Sequence, residues 1–347
     1  MVKKSQNMLK YIVKRILFMI PLLLLTLSAT FVLTQLMAAN PVLNKLGFPI
    51  SLEDLEREKQ RIGWYDPWYI KLGKYFATFF IGDWGTSYLV AEGMPVLTFI
   101  GKVYPKTIEL VIIPIIVIPI IAVKLGVISA KNRNKSTDNI LRFIWMLGAG
   151  LPIFYIGLMV QNFVGQNFDL EIMNPNSPTI RYPNPNWPFS TGFRLIDSII
   201  FNDQVLLQDT ILHLLLPVIC LTFVSLSGIT RQTRASMLEI MEKDYIRTAR
   251  AKGVLEKEVI NKHALRNALI PTTTVIIGNT AALLTGALLL EMVFNYTGMG
   301  YYTYTAIILG DYVVINGFLV FSVLIILGGN LVADIMYTII DPRIVYR

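Results

Sequence analysis

Uncharged, mostly apolar runs recur along the chain at Ile16 to Ala39, Phe143 to Gln166, Thr210 to Thr230, Asn267 to Leu290 and Tyr312 to Ala333. A helix needs roughly 20 residues to cross a hydrocarbon core of about 30 Å, so each run predicts one transmembrane helix. A sixth run, Thr107 to Ala130, has fourteen uncharged residues between Glu109 and Lys124. It is counted as a span because both charges lie near its ends, where a lysine can snorkel to the interface. Pro114 and Pro119 inside it predict a local kink, which a bundle tolerates by re-satisfying the freed carbonyls. In the third span, Gly148, Gly150 and Pro152 predict close helix packing rather than a bend.

Polar positions between the runs carry their own patterns. Ser51 followed by Asp54 reads as a capping box opening a charged helix, Leu52 to Ile62, that stops at Gly63. Beyond Asp66-Pro67, Trp68, Leu72, Tyr75, Phe76 and Phe79 recur at helical spacing, so a second helix lays an aromatic face on a core or on the membrane surface. The stretches Asn174 to Pro178 and Tyr182 to Pro188 are rich in Asn and Pro and predict an irregular loop.

Composition fits the membrane reading: of 347 residues, 54% are hydrophobic and 16% charged, with mean hydropathy +0.55, against about 25% charged in soluble domains. The net charge of +8 does not indicate nucleic acid, because the Lys and Arg sit between apolar runs rather than on one basic face. The lone cysteine, Cys220, lies within a span and reads as a small buried hydrophobe. The first span exceeds the 7 to 15 residues of a signal-peptide core and reads as a retained anchor.

Charge also sets the orientation. Lys3, Lys4, Lys10, Lys14 and Arg15 precede the first span, Lys131, Arg133, Lys135 and Arg142 fill the second loop, and nine basic residues lie between Arg231 and Arg266. Arg343 and Arg347 follow the last span. The positive-inside rule therefore puts both termini in the cytoplasm. The first loop has eight basic residues, but it is over sixty residues long with seven acids, and such a domain translocates largely regardless of charge. The expected fold is an all-α integral membrane protein of about six transmembrane helices with a small external domain after the first. It divides into 1–39 (N-terminal segment and first span), 40–106 (external loop domain), 107–340 (five-helix core containing the cytoplasmic loop 231–268) and 341–347 (cytoplasmic tail).

No motif supplies catalysis or an energy source. The chain has no phosphate loop, no paired-Cys or H-E-x-x-H metal pattern and no G-x-S-x-G elbow, so no catalytic or metal residue is assigned. His213 in a span and His263 on the cytoplasmic loop read as structural. The sharpest signal is the cytoplasmic loop, where Met237 to Lys252 reads as one helix with Met237, Met241, Tyr245 and Ala249 four apart, stopped by Gly253. After it Val259, His263 and Ala268 continue a second helix toward Pro271, where the next span is expected to begin. Spacing alone leaves two readings open: an amphipathic helix on anionic lipid, or a docking helix for a cytoplasmic partner.

The residues themselves are more distinctive. Asp244-Tyr245-Ile246-Arg247-Thr248-Ala249-Arg250-Ala251-Lys252-Gly253, then His263-Ala264-Leu265-Arg266-Asn267-Ala268-Leu269-Ile270-Pro271, resembles the coupling loop of ABC-importer permeases, in the dipeptide and oligopeptide branch. Arg247-Thr248-Ala249 stands where the superfamily's Glu-Ala-Ala belongs. The likeness extends to Tyr11 to Arg15, Gly82 to Tyr88, Leu212 to Pro217, Glu291 to Gly300 and Asp334 through Arg343.

The resemblance implies a permease subunit forming half of a transmembrane pathway for peptides or similar small solutes, with a homologous second permease, two cytoplasmic ATPases and an external solute-binding protein as partners. ATP and Mg would lie on the ATPases, with no cofactor in this chain. On this reading Asp244, Tyr245, Arg247 to Gly253, His263, Arg266, Asn267 and Pro271 couple the spans to the ATPases. Glu291, Phe294, Gly298 and Gly300 are candidates for an external gate or the solute path, against the plainer reading of an interfacial carboxylate and a surface turn. Two other classes compete: a secondary transporter or channel, which calls for carboxylates deep in the spans, and a receptor or scaffold that moves no solute. Nickel, oligosaccharide and peptide systems share the permease pattern, so the substrate is not fixed by it.

Overall fold

The computed structural model describes residues 2–36, 52–61, 65–167 and 187–340. Among them the regular elements are helices, with one isolated bridge between Thr86 and Pro95. The first helix, α1 (Val2–Leu36), runs through the basic N-terminal segment without a break, and Ile12–Leu33 is its apolar part. On the far side follow α2 (Leu52–Arg61) and α3 (Trp68–Phe80). Ser51, Ile62 and Gly63, expected to bound α2, lie outside the described residues, as do Asn174 to Pro178, Tyr182 to Asn186 and the C-terminal Asp341-Pro342-Arg343. The aromatic face expected on α3 meets α1: Tyr75 and Phe31 have ring centroids 5.9 Å apart, and the Tyr75 hydroxyl lies 3.0 Å from Thr30 Oγ1. Phe79 stacks on Trp84 at 5.0 Å.

The second span, α4, runs Val96–Lys131 and starts well before the expected Thr107. Pro95 precedes its first turn, where the fixed ring torsion favours helix entry, and Lys102 and Lys106 within it had broken the hydropathy signal. Glu109 consequently lies inside the helix rather than near its end, and it is buried. The third span is a bent pair, α5 (Ser136–Gly150) and α6 (Ile153–Asn167), whose axes differ by 104°. The expectation of packing over bending is thus corrected. Leu151, before Pro152, takes the extended φ −95°, ψ 134°, because the proline ring disfavours helical geometry in the residue ahead of it. Gly148 does pack closely, against Phe223.

After the short α7 (Arg194–Ile200), α8 (Gln204–Met241) crosses the bundle, its N-terminus capped by the Asp203 carboxylate, which accepts from Leu206 N at 3.0 Å. A short helix, α9 (Asp244–Ala251), leads to α10 (Glu256–Leu284), which contains a π-helical segment at Val259–Ala264. Then come α11 (Leu288–Val293), α12 (Met299–Leu309) and α13 (Tyr312–Ile340). Among the described residues five helices are long and apolar enough to cross a membrane, or six if the bent pair is one span.

The bundle is organised around α4 and α8, with α10 packed on α8 and α13, and α1 on the outside of α13. Leu110, Val111 and Ile118 of α4 meet Leu214, Leu221 and Ile229 of α8, together with Leu290 and Phe294. Cys220 is buried in this layer. Toward the far side, Val96, Phe99, Ile100 and Val103 pack on Met299, Ala306, Val314 and Phe318. Many large apolar side chains face outward, Leu25, Phe143, Met146 and Ile116 among them, as expected where lipid or another membrane chain is the solvent.

Candidate functional site

The loop between α8 and α10 is a small folded unit. The expected single helix from Met237 to Lys252 is two: α8 carries Met237 and Met241, the backbone turns at Glu242-Lys243, and α9 begins at Asp244. Lys243 is extended, φ −72°, ψ 150°, and helix-forming residues on both sides hide that break from a pattern at i, i+4. The acidic Asp244 falls in the first turn and Arg250 in the last, both favourable to the helix dipole.

At the other end Gly253, at φ +76°, closes α9. Its N–H donates to Arg250 O at 3.0 Å and that of Val254 to Ala249 O at 3.2 Å, the paired bonds of a Schellman stop, which favours glycine in the left-handed region. Arg250 reaches across this turn to Glu256 with two bonds of 3.1 and 2.8 Å. The Glu256 carboxylate holds the Arg250 guanidinium above its ordinary pKa through those bonds, so it stays charged at any physiological pH.

One side chain of α9 is fully buried: Ile246, packed among Ala130, Met237, Val259, Ile260, Ala264 and Ala268. Ala249 is partly buried on the same side. Ala249, which the resemblance assigns to the coupling set, therefore faces the bundle rather than outward. Outward stand Tyr245, Arg247, Thr248, Arg250, Ala251, Lys252 and Gly253. The Tyr245 hydroxyl accepts from Asn267 Nδ2 at 3.1 Å, and the same amide donates to His263 O, so α9 and α10 are tied by a polar clasp as well as by Ile246. Arg266 is exposed on α10. Pro271 lies inside α10 rather than at the start of a span, which is tolerated where a bundle accommodates the lost bond.

The other predicted cluster lies at the opposite end of the bundle. The fifth span ends at Leu284, and after Thr285 to Ala287, with Gly286 at φ +104°, the chain enters α11. Glu291 is thus on a separate short helix rather than on the span, fully buried. Its carboxylate accepts from Thr107 Oγ1 at 3.0 Å and from Tyr301 N at 3.0 Å, while Thr107 Oγ1 accepts from Met299 N at 2.8 Å. Gly298 fits between these groups because it has no side chain: a Cβ there would stand 2.5 Å from both Glu291 Oε2 and Thr107 Oγ1. Gly300 is equally close to the Leu288 backbone, and Phe294 packs on Gly157. The structure brings Glu291, Gly298 and Gly300 into one closed knot around Thr107, with Phe294 on its flank.

Other buried polar groupings were not legible in the sequence. Glu109 accepts from Leu195 N at 2.6 Å and from the Tyr296 hydroxyl at 3.2 Å. Arg194 pairs with Asp209 at 2.9 Å, and His213 Nδ1 lies 2.7 Å from Asp209 O. Asp311, between α12 and α13, accepts from Ser87 Oγ and from the amides of Tyr88, Leu89 and Val90 at 2.6 to 3.2 Å. Near the loop end of the bundle, buried Asp138 of α5 receives both Nε and Nη2 of Arg234 from α8 at 2.8 and 2.7 Å. Ser129 Oγ of α4 and Asn134 N also donate to it. Partners 96 or 224 residues apart leave no local pattern to read.

Residues 122–346 match the model of the binding-protein-dependent transport system inner membrane component. A dipeptide transport system permease protein of Alkalihalophilus pseudofirmus is 37% identical over 98% of this chain and 100% of its own length. An oligopeptide transport system permease protein of Bacillus subtilis is 33% identical over 98% and 100%. A dipeptide transport system permease protein of Escherichia coli is 31% identical with the same coverage.

Proposed function

The chain belongs to the family of inner membrane components of binding-protein-dependent transport systems, and we propose that it forms one half of an ATP-driven import path for short peptides. It is a multi-pass membrane permease subunit. The peptide class is taken from the relatives, which carry dipeptide or oligopeptide in their names. The other half of the path is a homologous permease, ATP and Mg are bound by two cytoplasmic ATPases, and an external binding protein delivers the solute.

The observation that carries this reading is α9. It stands at the end of the bundle, held by Ile246, the Tyr245–Asn267 clasp and the Arg250–Glu256 bridge, with a continuous exposed face from Tyr245 to Gly253. Such a peg is anchored at its root to α4, α8 and α10 through Ala130, Met237 and Ala264. A partner gripping the exposed face would move those three helices as a rigid body. Co-purification with the ATPases tests it. Any side chain at Gly253 is strained by its φ, so Ala251→Trp, on an exposed helical position, is the cleaner variant. It is expected to abolish ATPase co-purification and peptide uptake while the two permeases still assemble; normal ATPase retention would refute the docking role.

The topology has its own test. Because Cys220 is buried and is the only cysteine, a Cys220→Ala chain is a background for single-cysteine labelling. Thr248→Cys should react with an impermeant maleimide only after the cytoplasmic side is opened, and Lys74→Cys should react from outside in intact cells. The reverse pattern would invert the proposed orientation.

A further inference from the structure

Between α5 and α8, at the end of the bundle that carries α9, lies a cleft of about 300 Å³. Arg142, Arg231 and Arg234 line it, together with Trp145, Met146 and Ala149. Arg234 is committed to Asp138. Arg142 and Arg231 are exposed, and among the described residues neither forms a salt bridge. The cleft therefore holds three guanidinium groups against one carboxylate.

Its polarity runs along the helix axes. Ala149 is seven residues beyond Arg142 on α5, and Ser227, also in the wall, is seven residues before Arg234 on α8. At 1.5 Å of rise per residue the far end of the cleft is about 10 Å deeper in the bundle than Arg142 and Arg234, and about 6 Å deeper than Arg231. Beside it, Ile140, Phe143, Met146 and Leu147 are exposed. A charged mouth at the interface, a tryptophan at its rim and an apolar floor at acyl depth match a phospholipid, whereas a free phosphate would leave the apolar floor unfilled. A basic recess between transmembrane helices on the cytoplasmic side is a fitting seat for an anionic headgroup.

We propose that the cleft formed by Arg142, Trp145, Met146, Arg231 and Arg234 binds one anionic phospholipid of the cytoplasmic leaflet, its phosphate on Arg142 and Arg231 and an acyl chain along Trp145 and Ala149. Because Arg234 lines the cleft and ties α5 to α8 through Asp138, the lipid would brace the joint between these two helices.

The test uses the assembled importer, both permeases and both ATPases, in mild detergent, titrated with phosphatidylglycerol or phosphatidylcholine and followed by native mass spectrometry. Wild type should retain one phosphatidylglycerol per copy of this chain. Arg142→Gln with Arg231→Gln should weaken that binding about thirtyfold, from two lost charge contacts, and Lys131→Gln on the neighbouring α4 should leave it unchanged. In nanodiscs, brominated phosphatidylglycerol should quench a tryptophan signal that Trp145→Phe removes. The site is refuted if Lys131→Gln weakens binding as much as the double variant, or if phosphatidylcholine binds equally well. It is also refuted if inorganic phosphate displaces the lipid at equal concentration, or if no Trp145 quenching occurs because the second permease covers the cleft. None of these readouts depends on transport, so a failure here is separable from a failure of the coupling role.

Discussion

Asp138→Ala is expected to destabilise the folded chain by about 3 to 5 kcal/mol, the range for removing one partner of a buried ion pair. The carboxylate is fully buried and receives four donors from α4, α8 and the turn at Asn134. Alanine would leave the Arg234 guanidinium, four-fifths buried, without its counter-charge. Thermal unfolding of the purified subunit, followed by near-ultraviolet circular dichroism, measures the loss. Asp138→Leu combined with Arg234→Met should recover most of it, since an apolar pair of similar bulk needs no desolvation. By contrast Arg250→Ala removes a bridge whose partners are 37% and 53% exposed, and should cost less than about 1 kcal/mol. Equal losses in Asp138→Ala and Arg250→Ala would show that the Asp138 network does not hold the three helices together.

Gly298→Ala should have the second large effect, about 3 kcal/mol, at the upper end of overpacking. The added methyl would lie 2.5 Å from Glu291 Oε2 and Thr107 Oγ1, which accept from Tyr301 N and Met299 N respectively, so Glu291 or Thr107 must move and its partner loses a buried hydrogen bond. Gly101→Ala is the matched control: nothing lies within 4 Å of a Cβ there, and alanine in a helix interior is preferred over glycine by roughly 0.5 to 1 kcal/mol. Folding yield and unfolding temperature of the two variants should therefore move in opposite directions. If Gly298→Ala unfolds like wild type yet abolishes uptake, the knot around Glu291 is a moving part of the path instead of a fixed support.

Much of the architecture was legible because a bilayer imposes a simple rule: a helix must be long and apolar to cross. Where the reading failed, short-range chemistry overrode that rule. Lys102 and Lys106 masked the first turns of α4, and the extended residue before Pro152 bent what looked like one span. The turn at Lys243 lay between two good helix formers, so the spacing of Met237, Met241, Tyr245 and Ala249 ran smoothly across a real break. Pro271, a helix breaker in water, sits inside α10.

For the loop between α8 and α10, the glycine stop was readable from Gly253 alone, because a left-handed residue after a helix is a local requirement. Which side of α9 faces the bundle was not. Ile246 was hidden between Tyr245 and Arg247, and only the arrival of Val259 and Ala264 from α10 makes it the buried residue. The outer knot was partly visible as a glycine-rich segment after a carboxylate. That Thr107, 184 residues earlier, completes it could come only from the folded chain.

The bonds on Asp311 bear on how a load applied from outside would travel. Four donors from the stretch Ser87 to Val90 converge on one oxygen of a residue placed just before the last transmembrane helix. That stretch is thus tied to the head of α13 by four hydrogen bonds to one carboxylate oxygen. A push or pull on it arrives undamped at α13, along which lie α10 and α1. If α9 is gripped as proposed, the chain can be loaded at both ends, and the outer stretch passes its load to α13 through a single carboxylate.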